Sequence, residues 1–262
     1  MLELEKIALY HGETPLLNGL DITLKVGEFA TVIGENGCGK STLLRCIAGL
    51  HSHYSGRVAL NDRELSGWNT KTLATQRAFV NQHNQVQFAF LTEEVLQLGR
   101  MNQKETLAQS TELICQVAEQ LSIGYLFGRD VRTLSGGERQ RVFIAKALVQ
   151  LLPNANTVKY EGAFEGKLLL LDEPTSALDF RFQKAMMDVI KSYCQQGLSV
   201  MCVSHDMNLV LPYANQVILL ANGRCLAQGQ VCEVINEQNL QQCFGVTPTL
   251  IPQANSVPLI TH

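Results

Sequence analysis

A glycine-rich segment between a predicted strand and a predicted helix constrains this chain more than any other feature. Residues 34–42 read Gly-Glu-Asn-Gly-Cys-Gly-Lys-Ser-Thr and match the pattern Gly-x-x-x-x-Gly-Lys-[Ser/Thr]. The apolar run 29–33 before the segment suits a buried strand, and residues 40–48 after it suit a helix that ends at Gly49. Strand, glycine-rich loop and helix in this order form the context in which the pattern binds phosphate.

This segment predicts a site for a nucleoside triphosphate. Its glycines allow backbone N–H groups to point at phosphate oxygens, and the N-terminus of the helix adds a partial positive charge. We expect Lys40 to reach the β- and γ-phosphates and the Ser41 hydroxyl to bind Mg²⁺. The alternative is a glycine-rich turn that arose by chance, and the flanking strand and helix argue against it.

The composition excludes some classes of partner. The chain has 262 residues, enough for one large domain or two small ones. Charged residues make up 17% of the chain, below the usual value of about 25%, which fits a subunit that buries surface against partners. The net charge of −3 provides no basic field, so we expect no nucleic-acid partner.

The same sequence predicts a soluble protein of the cytoplasm. No apolar run approaches the roughly 18 residues of a membrane span, and residues 1–6 lack a signal-peptide pattern. The eight cysteines form no Cys-x-x-Cys pair. That spacing favours buried thiols over a zinc site or a disulfide framework.

The hydrophobic pattern predicts an α/β fold. Leu2 and Leu4 alternate with glutamates, and apolar residues alternate with polar ones over 20–26, so both segments suit an antiparallel sheet. Further buried strands are predicted at 77–82, 167–171 and 198–203. Helical stretches separate these strands, which predicts a mainly parallel sheet.

A helical region is predicted from Thr92 to Leu152. Thr92 suits the N-cap of its first helix, and Ser135 with Glu138 forms a capping box for its last. One helical face is predicted to carry Leu107, Ile114, Val117 and Leu121.

Turn signals divide the remainder of the chain. Residues 153–166 are polar and suit a surface loop, and Asp179 suits the cap of a helix that Gly197 ends. Asn222-Gly223 between two apolar runs predicts a hairpin with a type I′ turn. The tail after Gly245 contains several prolines and is expected to be extended.

Two adjacent carboxylates follow the strand predicted at 167–171. Asp172 and Glu173 come at the carboxyl end of a buried strand, the edge where open α/β sheets bind ligands. We expect Asp172 to reach Mg²⁺ through water beside Ser41. Glu173 suits a base that polarises a water for attack on the γ-phosphate. Such a Leu-Leu-Asp-Glu run is also commonplace in cores, and the preceding phosphate-binding pattern favours the functional interpretation.

Single polar residues carry weaker signals. His205 follows the next strand and suits a residue that holds the attacking water, but lone histidines are usually structural. Gln82 ends another strand and suits contact with Mg²⁺ and that water, or merely a polar strand end. Tyr10 suits stacking on adenine or an exposed turn, and its position does not separate these alternatives.

Residues 134–140, Leu-Ser-Gly-Gly-Glu-Arg-Gln, predict a second anion site at a capped helix start. The chain already has one phosphate site, so this second site needs a second nucleotide. Two copies arranged head to tail would let the phosphate loop of each face Ser135 of the other, with ATP holding the dimer together.

With these motifs in place, the chain resembles the ATP-binding cassettes, the nucleotide-binding subunits of membrane transporters. The family elements appear in order as an aromatic A-loop (Tyr10), Walker A (34–42), Q-loop (Gln82), signature (134–140), Walker B (168–172) with its base Glu173, D-loop (176–179) and switch histidine (His205). The resemblance covers nearly the whole length. Two residues depart from the family pattern. Glu35 stands where proline is frequent, and Cys38 stands where serine or alanine is frequent.

The resemblance implies ATP and Mg²⁺ as cofactors and a set of site residues. The implied catalytic residues are Glu173, His205 and Gln82. The implied metal ligands are Ser41, Gln82 and Asp172. The implied nucleotide contacts are Tyr10, Gly34, Glu35, Asn36, Gly37, Cys38, Gly39, Lys40, Ser41, Thr42, Ser135, Gly136, Gly137 and Asp179.

The resemblance also implies a single domain, 1–262, with a P-loop NTPase (RecA-like) core. The core with its antiparallel β subdomain is expected at 1–82 and 167–262, the inserted helical signature subdomain at 83–152 and a loop at 153–166.

Within the family, the segments 213–220 and 244–246 resemble importers of iron chelates, haem and cobalamin. The loop around 151–166 looks most like the haem importers, and ferric siderophore and cobalamin import stay open. The implied assembly is a homodimer on the cytoplasmic face of the inner membrane, under two copies of a permease that docks near 82–100. A periplasmic binding protein would act indirectly.

Rival interpretations come from other classes of P-loop protein. Soluble cassette proteins of translation carry two cassettes, and those of DNA repair carry a long coiled-coil insertion; this chain has neither. A P-loop kinase would not need residues 134–140.

Overall fold

The computed structural model describes residues 1–51, 53–82, 86–154, 162–253 and 256–261. The chain forms two compact units, one of residues 1–67 and 200–262 and the other of residues 68–199. The subdomain bounds expected from the sequence stay a prediction.

The strands of the described residues are β1 (Leu2–His11), β2 (Thr14–Leu24), β3 (Phe29–Ile33), β4 (Ser55–Leu60), β5 (Arg63–Glu64), β6 (Arg77–Val80), β7 (Leu168–Asp172), β8 (Ser199–Val203), β9 (Gln216–Ala221), β10 (Arg224–Gly229), β11 (Thr249–Gln253) and β12 (Ser256–Thr261). The α-helices are α1 (Lys40–Ile47), α2 (Thr70–Gln76), α3 (Thr92–Leu98), α4 (Leu107–Gln120), α5 (Gly136–Leu151), α6 (Phe180–Gln195), α7 (Met207–Val210), α8 (Val231–Val234) and α9 (Glu237–Phe244).

The first unit contains the antiparallel sheet that alternation predicted. Its strand order is β2-β1-β4-β5, and Leu4 lies opposite Ile22 with both side chains buried. Alternate apolar residues therefore form one buried face. The alternation was extended too far at Val26, which lies beyond β2 and is 47% exposed.

The same unit contains strands in the order β10-β9-β3-β8. β3 runs parallel to both β8 and β9, and every residue of β3 and β8 is buried, as expected for strands covered on both faces. β9 and β10 form a hairpin whose turn residues Asn222 and Gly223 have φ of 49° and 73°. These positive φ values confirm the predicted type I′ turn.

The C-terminal tail is extended, as predicted, and it also forms a hairpin that the sequence did not predict. β11 and β12 pair as an antiparallel hairpin, and Ile260 and its neighbours pack into a core with Val217, Leu219 and Leu240. Asn208 fixes this hairpin, since its side chain exchanges two hydrogen bonds of 2.9 Å with the backbone of Ile260. The pairing of these two strands therefore depends on contacts with distant residues, which local signals in the sequence do not predict.

The second unit contains the parallel pair β6 and β7 and the predicted helical region, which is divided into α3, α4 and α5. Its predicted N-cap was wrong by one residue. Leu91 is the N-cap of α3, and Glu94 accepts a hydrogen bond of 2.7 Å from its N–H. Thr92 is buried instead, and its hydroxyl donates to the carbonyl of Arg129.

The predicted apolar face of α4 is correct except at its first residue. Ile114, Val117 and Leu121 are buried, whereas Leu107 is 71% exposed. Leu107 is the first residue of the helix, and its carbonyl accepts hydrogen bonds from the hydroxyls of Ser110 and Thr111.

The predicted surface loop 153–166 contains a core anchor. Residues 155–161 of it lie outside the described residues. Phe164 is 1% exposed, and its ring packs edge-to-face on Tyr193 with centroids 5.1 Å apart. Aromatic packing of this kind makes the end of the segment part of the core.

Burial of the cysteine thiols is confirmed at most positions. The buried cysteines are Cys38, Cys46, Cys194, Cys202 and Cys243, whereas Cys115 and Cys232 are exposed. Among the described residues, none of the helices combines the length and apolar character that crossing a membrane requires.

Candidate active site

The glycines of the phosphate-binding loop are required by close packing in the first unit. A Cβ on Gly34 would lie 2.1 Å from the carbonyl oxygen of Leu220, and one on Gly39 would lie 2.6 Å from that of Leu16. Gly39 also has φ of 106°, which disfavours any other residue. The loop is therefore held against β9 and β2 by its backbone.

Lys40 lies across this loop. It is 7% exposed, and its ammonium donates to the carbonyls of Gly34 (2.6 Å) and Glu35 (2.8 Å). α1 begins at Lys40, and the backbone N–H groups of a first helical turn point towards the N-terminal end of the helix. An ammonium and a set of N–H donors around one loop fit a nucleotide phosphate chain.

The remaining loop residues differ in accessibility. Glu35 and Asn36 are exposed, and Ser41 and Thr42 are half-buried with Ser41 in the first turn of α1. Burial raises the pKa of the Cys38 thiol, although nearby Lys40 lowers it. Cys38 is buried, as suits a small packing residue in this loop.

Tyr10 and His205 also lie in the first unit. Tyr10 is 56% exposed on β1, as a platform for base stacking requires. His205 is exposed and follows β8. Because Val203 lies opposite Val32 in a parallel pair, His205 and the phosphate-binding loop begin at the same edge of the sheet.

The paired carboxylates of the second unit are buried. Asp172 is 1% and Glu173 7% exposed at the end of β7. Glu173 has φ of 51°, a left-handed conformation that costs a non-glycine residue roughly 1–3 kcal/mol. Its carbonyl accepts from the Ser176 N–H and hydroxyl. The sequence gives no signal for this backbone strain at Glu173.

Gln82 lies at the same strand edge as these carboxylates. Val80 of β6 is opposite Leu171 of β7 in a parallel pair, and Gln82 follows β6 as an exposed residue. The residues directly after it, 83–85, lie outside the described part of the chain.

The signature segment forms the predicted capping box. The Ser135 hydroxyl accepts from the Glu138 N–H (3.2 Å), and the Glu138 carboxylate accepts from the Ser135 N–H (2.9 Å). The hydrogen bond that the Ser135 N–H donates to this carboxylate lowers the pKa of Glu138. Ser135 and Gly136 remain exposed at the start of α5.

The signature glycines also pack on the D-loop of the same unit, which the sequence did not predict. A Cβ on Gly137 would lie 2.8 Å from the Ala177 carbonyl oxygen, whereas one on Gly136 would meet the Ala177 Cβ at 3.7 Å. The prediction assigned both glycines to the approach of an anion. Gly137 has a packing requirement that Gly136 does not share.

Asp179 is the N-cap of α6, as predicted. Its backbone has the extended conformation of a cap, with φ of −65° and ψ of 150°, and its side chain makes no capping hydrogen bond. The carboxylate is exposed at the end of the D-loop.

The candidate metal ligands fit Mg²⁺ by chemistry. Ser41, Gln82 and Asp172 provide a hydroxyl, an amide and a carboxylate oxygen, the hard oxygen donors that Mg²⁺ takes together with phosphate oxygens. Ser41 lies in the first unit, and the others lie in the second.

The chain matches the ABC transporter family over residues 17–153. It is 36% identical over 246 residues to the hemin import ATP-binding protein HmuV of Pseudomonas fluorescens, covering 94% of this chain and 93% of that protein. It is 34% identical over 266 residues to HmuV of Jannaschia sp., covering 100% and 94%.

Solved structures share its fold. An ATP binding subunit of an ABC transporter has a TM-score of 0.78 at 22% identity, covering 94% of each chain. The cbiO1 protein from Clostridium perfringens, part of the ABC transporter complex cbiONQ, has a TM-score of 0.74 at 25% identity, covering 93% of this chain and 95% of that one. These matches confirm the predicted α/β P-loop fold.

The two signature glycines provide a matched test of the packing. Gly137→Ala should lower the free energy of unfolding by about 1–3 kcal/mol, because the D-loop backbone must shift. Gly136→Ala should change it by less than about 0.5 kcal/mol, because its Cβ makes an ordinary contact. Urea denaturation followed by circular dichroism measures both. Equal midpoints for the two variants would contradict the close approach to Ala177.

Proposed function

The chain belongs to the ABC transporter family, and we propose that it is the ATP-hydrolysing subunit of a haem importer. The observation that supports haem as the transported molecule is the similarity to hemin import ATP-binding proteins over nearly the full length of both chains. Import of a ferric siderophore or of cobalamin is the alternative. Hydrolysis of ATP to ADP and phosphate is the activity of this ATPase family.

The phosphate-binding loop is our proposed site for the ATP phosphates. The N–H groups of 34–42 and the ammonium of Lys40 provide donors to the phosphate oxygens, and Thr42 adds a hydroxyl. Tyr10 provides the exposed ring on which adenine stacks. Ser41, Gln82 and Asp172 are the proposed residues that hold Mg²⁺, which supplies charge neutralisation at the phosphates.

Glu173 is the proposed general base. Its carboxylate accepts a proton from the water that attacks the γ-phosphate, while His205 and Gln82 orient that water. The left-handed backbone of Glu173 supports this role, because strained residues persist where surrounding structure fixes a functional geometry.

A head-to-tail homodimer completes the site in this proposal. Ser135, Gly136, Gly137 and Asp179 are exposed or half-buried on the second unit, where the ATP of another copy can approach them. The N-terminus of α5 offers that ATP a partial positive charge. ATP binding closes the dimer and hydrolysis opens it.

A separate integral membrane permease is the proposed partner on the cytoplasmic face of the inner membrane. We place its docking surface near 82–100, as the resemblance implies, and the described residues 86–101 include the exposed apolar side chains of Phe88 (70%), Leu98 (40%) and Met101 (74%). Exposed apolar side chains in this segment would be covered on docking to the permease. Two permease copies would match a homodimer, and a periplasmic binding protein would deliver cargo to the permease, which selects it.

The catalytic assignment is tested by Glu173→Gln. The variant keeps side-chain size but loses the proton acceptor, so ATP should bind normally while turnover falls at least ~10²-fold. Phosphate release and binding of a fluorescent ATP analogue measure the two effects. Glu119→Gln, which changes an exposed glutamate of α4, is the control and should turn over normally. Near-normal phosphate release by Glu173→Gln would refute the role.

The cargo is tested by deleting the gene in its source bacterium. Growth with haem as the sole iron source should stop, while growth on ferrous salts should continue. The wild-type gene should restore growth on haem, and a Glu173→Gln gene should not. A deletion strain that grows on haem but fails on a ferric siderophore or cobalamin would contradict haem import and leave the transporter function intact.

A further inference from the structure

A buried arginine outside the recognised motifs joins three helices of the second unit. Arg141 of α5 is 3% exposed. Its guanidinium donates to the carbonyls of Leu121 (3.1 Å) and Ser122 (2.7 Å), just beyond the C-terminal end of α4. A cation is stabilised there by the helix dipole and by these acceptors, so the charge fixes α5 to α4.

The same guanidinium packs on the first turn of α6. The Arg141 Cζ lies 4.1 Å from the centroid of the Phe182 ring. A cation over an aromatic face is attracted to it, and more strongly where water is excluded. Phe182 follows the D-loop residue Asp179 at the start of α6. Arg141 therefore connects α5 to the helix that carries the D-loop.

A hydrogen-bond relay connects Arg141 to the signature serine. The Arg141 guanidinium donates to the Tyr125 oxygen (3.0 Å), and the Tyr125 hydroxyl donates to the Glu138 carboxylate (3.1 Å). That carboxylate accepts from the Ser135 N–H. Hydrogen bonds in such a chain polarise and strengthen one another.

The close approach of Gly137 to the Ala177 carbonyl joins the same two segments at a second point. Signature and D-loop are thus connected directly by backbone packing and indirectly through Arg141, Tyr125 and Phe182.

We propose that Arg141 and Phe182 are positioning residues that hold the signature segment 135–137 and the D-loop 176–179 in one fixed arrangement. The inference rests on the proposed function, in which both segments meet the ATP of another copy. Because the two segments must meet that ATP together, losing the contact between Arg141 and Phe182 weakens the ATP-dependent pairing of two copies. Neither residue belongs to the phosphate-binding loop. The loss therefore leaves the binding of ATP to a single copy unchanged.

The test compares two substitutions of Phe182 in a Glu173→Gln background, where ATP is not consumed. Phe182→Leu keeps an apolar side chain but loses the ring face, and should weaken ATP-dependent dimerisation about 5- to 30-fold. Phe182→Tyr keeps the ring and should dimerise like the parent. Analytical ultracentrifugation with and without Mg-ATP gives the dimer dissociation constant. A fluorescent ATP analogue at low protein concentration gives the affinity of the monomer, expected to stay within about twofold.

Arg141→Lys is the second variant, since it keeps the charge but loses the planar group that stacks and donates to several acceptors. It should show the same dimer defect. Lys184→Gln is the control, because it removes an exposed cation of α6 that takes no part in these contacts and should have no effect.

The outcomes separate this inference from the function on which it rests. If Phe182→Leu and Arg141→Lys dimerise like the parent, the positioning role is overturned. A monomer affinity for ATP that falls as much as the dimer affinity also overturns it, because that result indicates a general structural defect. A parent that stays monomeric with Mg-ATP overturns the proposed dimer and this inference together.

Discussion

In each unit, a pair of parallel strands fixes where the polar residues of the candidate site can lie. Val32 is opposite Val203 in the first unit, so the phosphate-binding loop and His205 start from one edge. Val80 is opposite Leu171 in the second, so Gln82 and the carboxylates of 172–173 start from one edge. Parallel strands place their carboxyl ends together, and ligands bind at such edges in open α/β sheets. The register of buried apolar residues thus determines the positions of the polar ones.

Backbone packing is the second constraint, and it gives the glycines a role apart from phosphate contact. Gly34 and Gly39 approach the carbonyls of Leu220 and Leu16 more closely than any side chain would allow. Gly137 approaches the carbonyl of Ala177 in the same way. A loop held by its own backbone presents its N–H groups in a fixed arrangement, which is the preorganisation that binding and catalysis of phosphate transfer require.

Local rules explain what the sequence could predict. The strand and helix around the phosphate-binding loop, the Ser135–Glu138 capping box and the Asn222-Gly223 turn depend on neighbouring residues only, and the structure has all three. The burial of Phe164 and the pairing of the extended C-terminal tail into a hairpin, which the sequence did not predict, depend on distant contacts. Phe164 is buried by Tyr193, and the C-terminal hairpin is fixed through Asn208.

The candidate site divides along the same line. Motif spacing identified Lys40, Ser135 and Glu173 as candidates. It gave no signal for the left-handed backbone of Glu173 or for the contact of Arg141 with Phe182. Backbone strain and cation–π packing depend on tertiary geometry, which spacing does not encode.

The central claim is that Lys40 of one copy and Ser135 of another act on the same ATP. The most direct measurement mixes two differently tagged Glu173→Gln chains, one carrying Lys40→Ala and the other Ser135→Arg, and isolates one tag with Mg-ATP present. The mixed pair contains one complete site, so the second tag should co-purify, whereas neither chain should pair with itself. A mixture that shows no ATP-dependent co-purification, or single variants that pair with themselves as the unsubstituted Glu173→Gln chain does, would contradict the account.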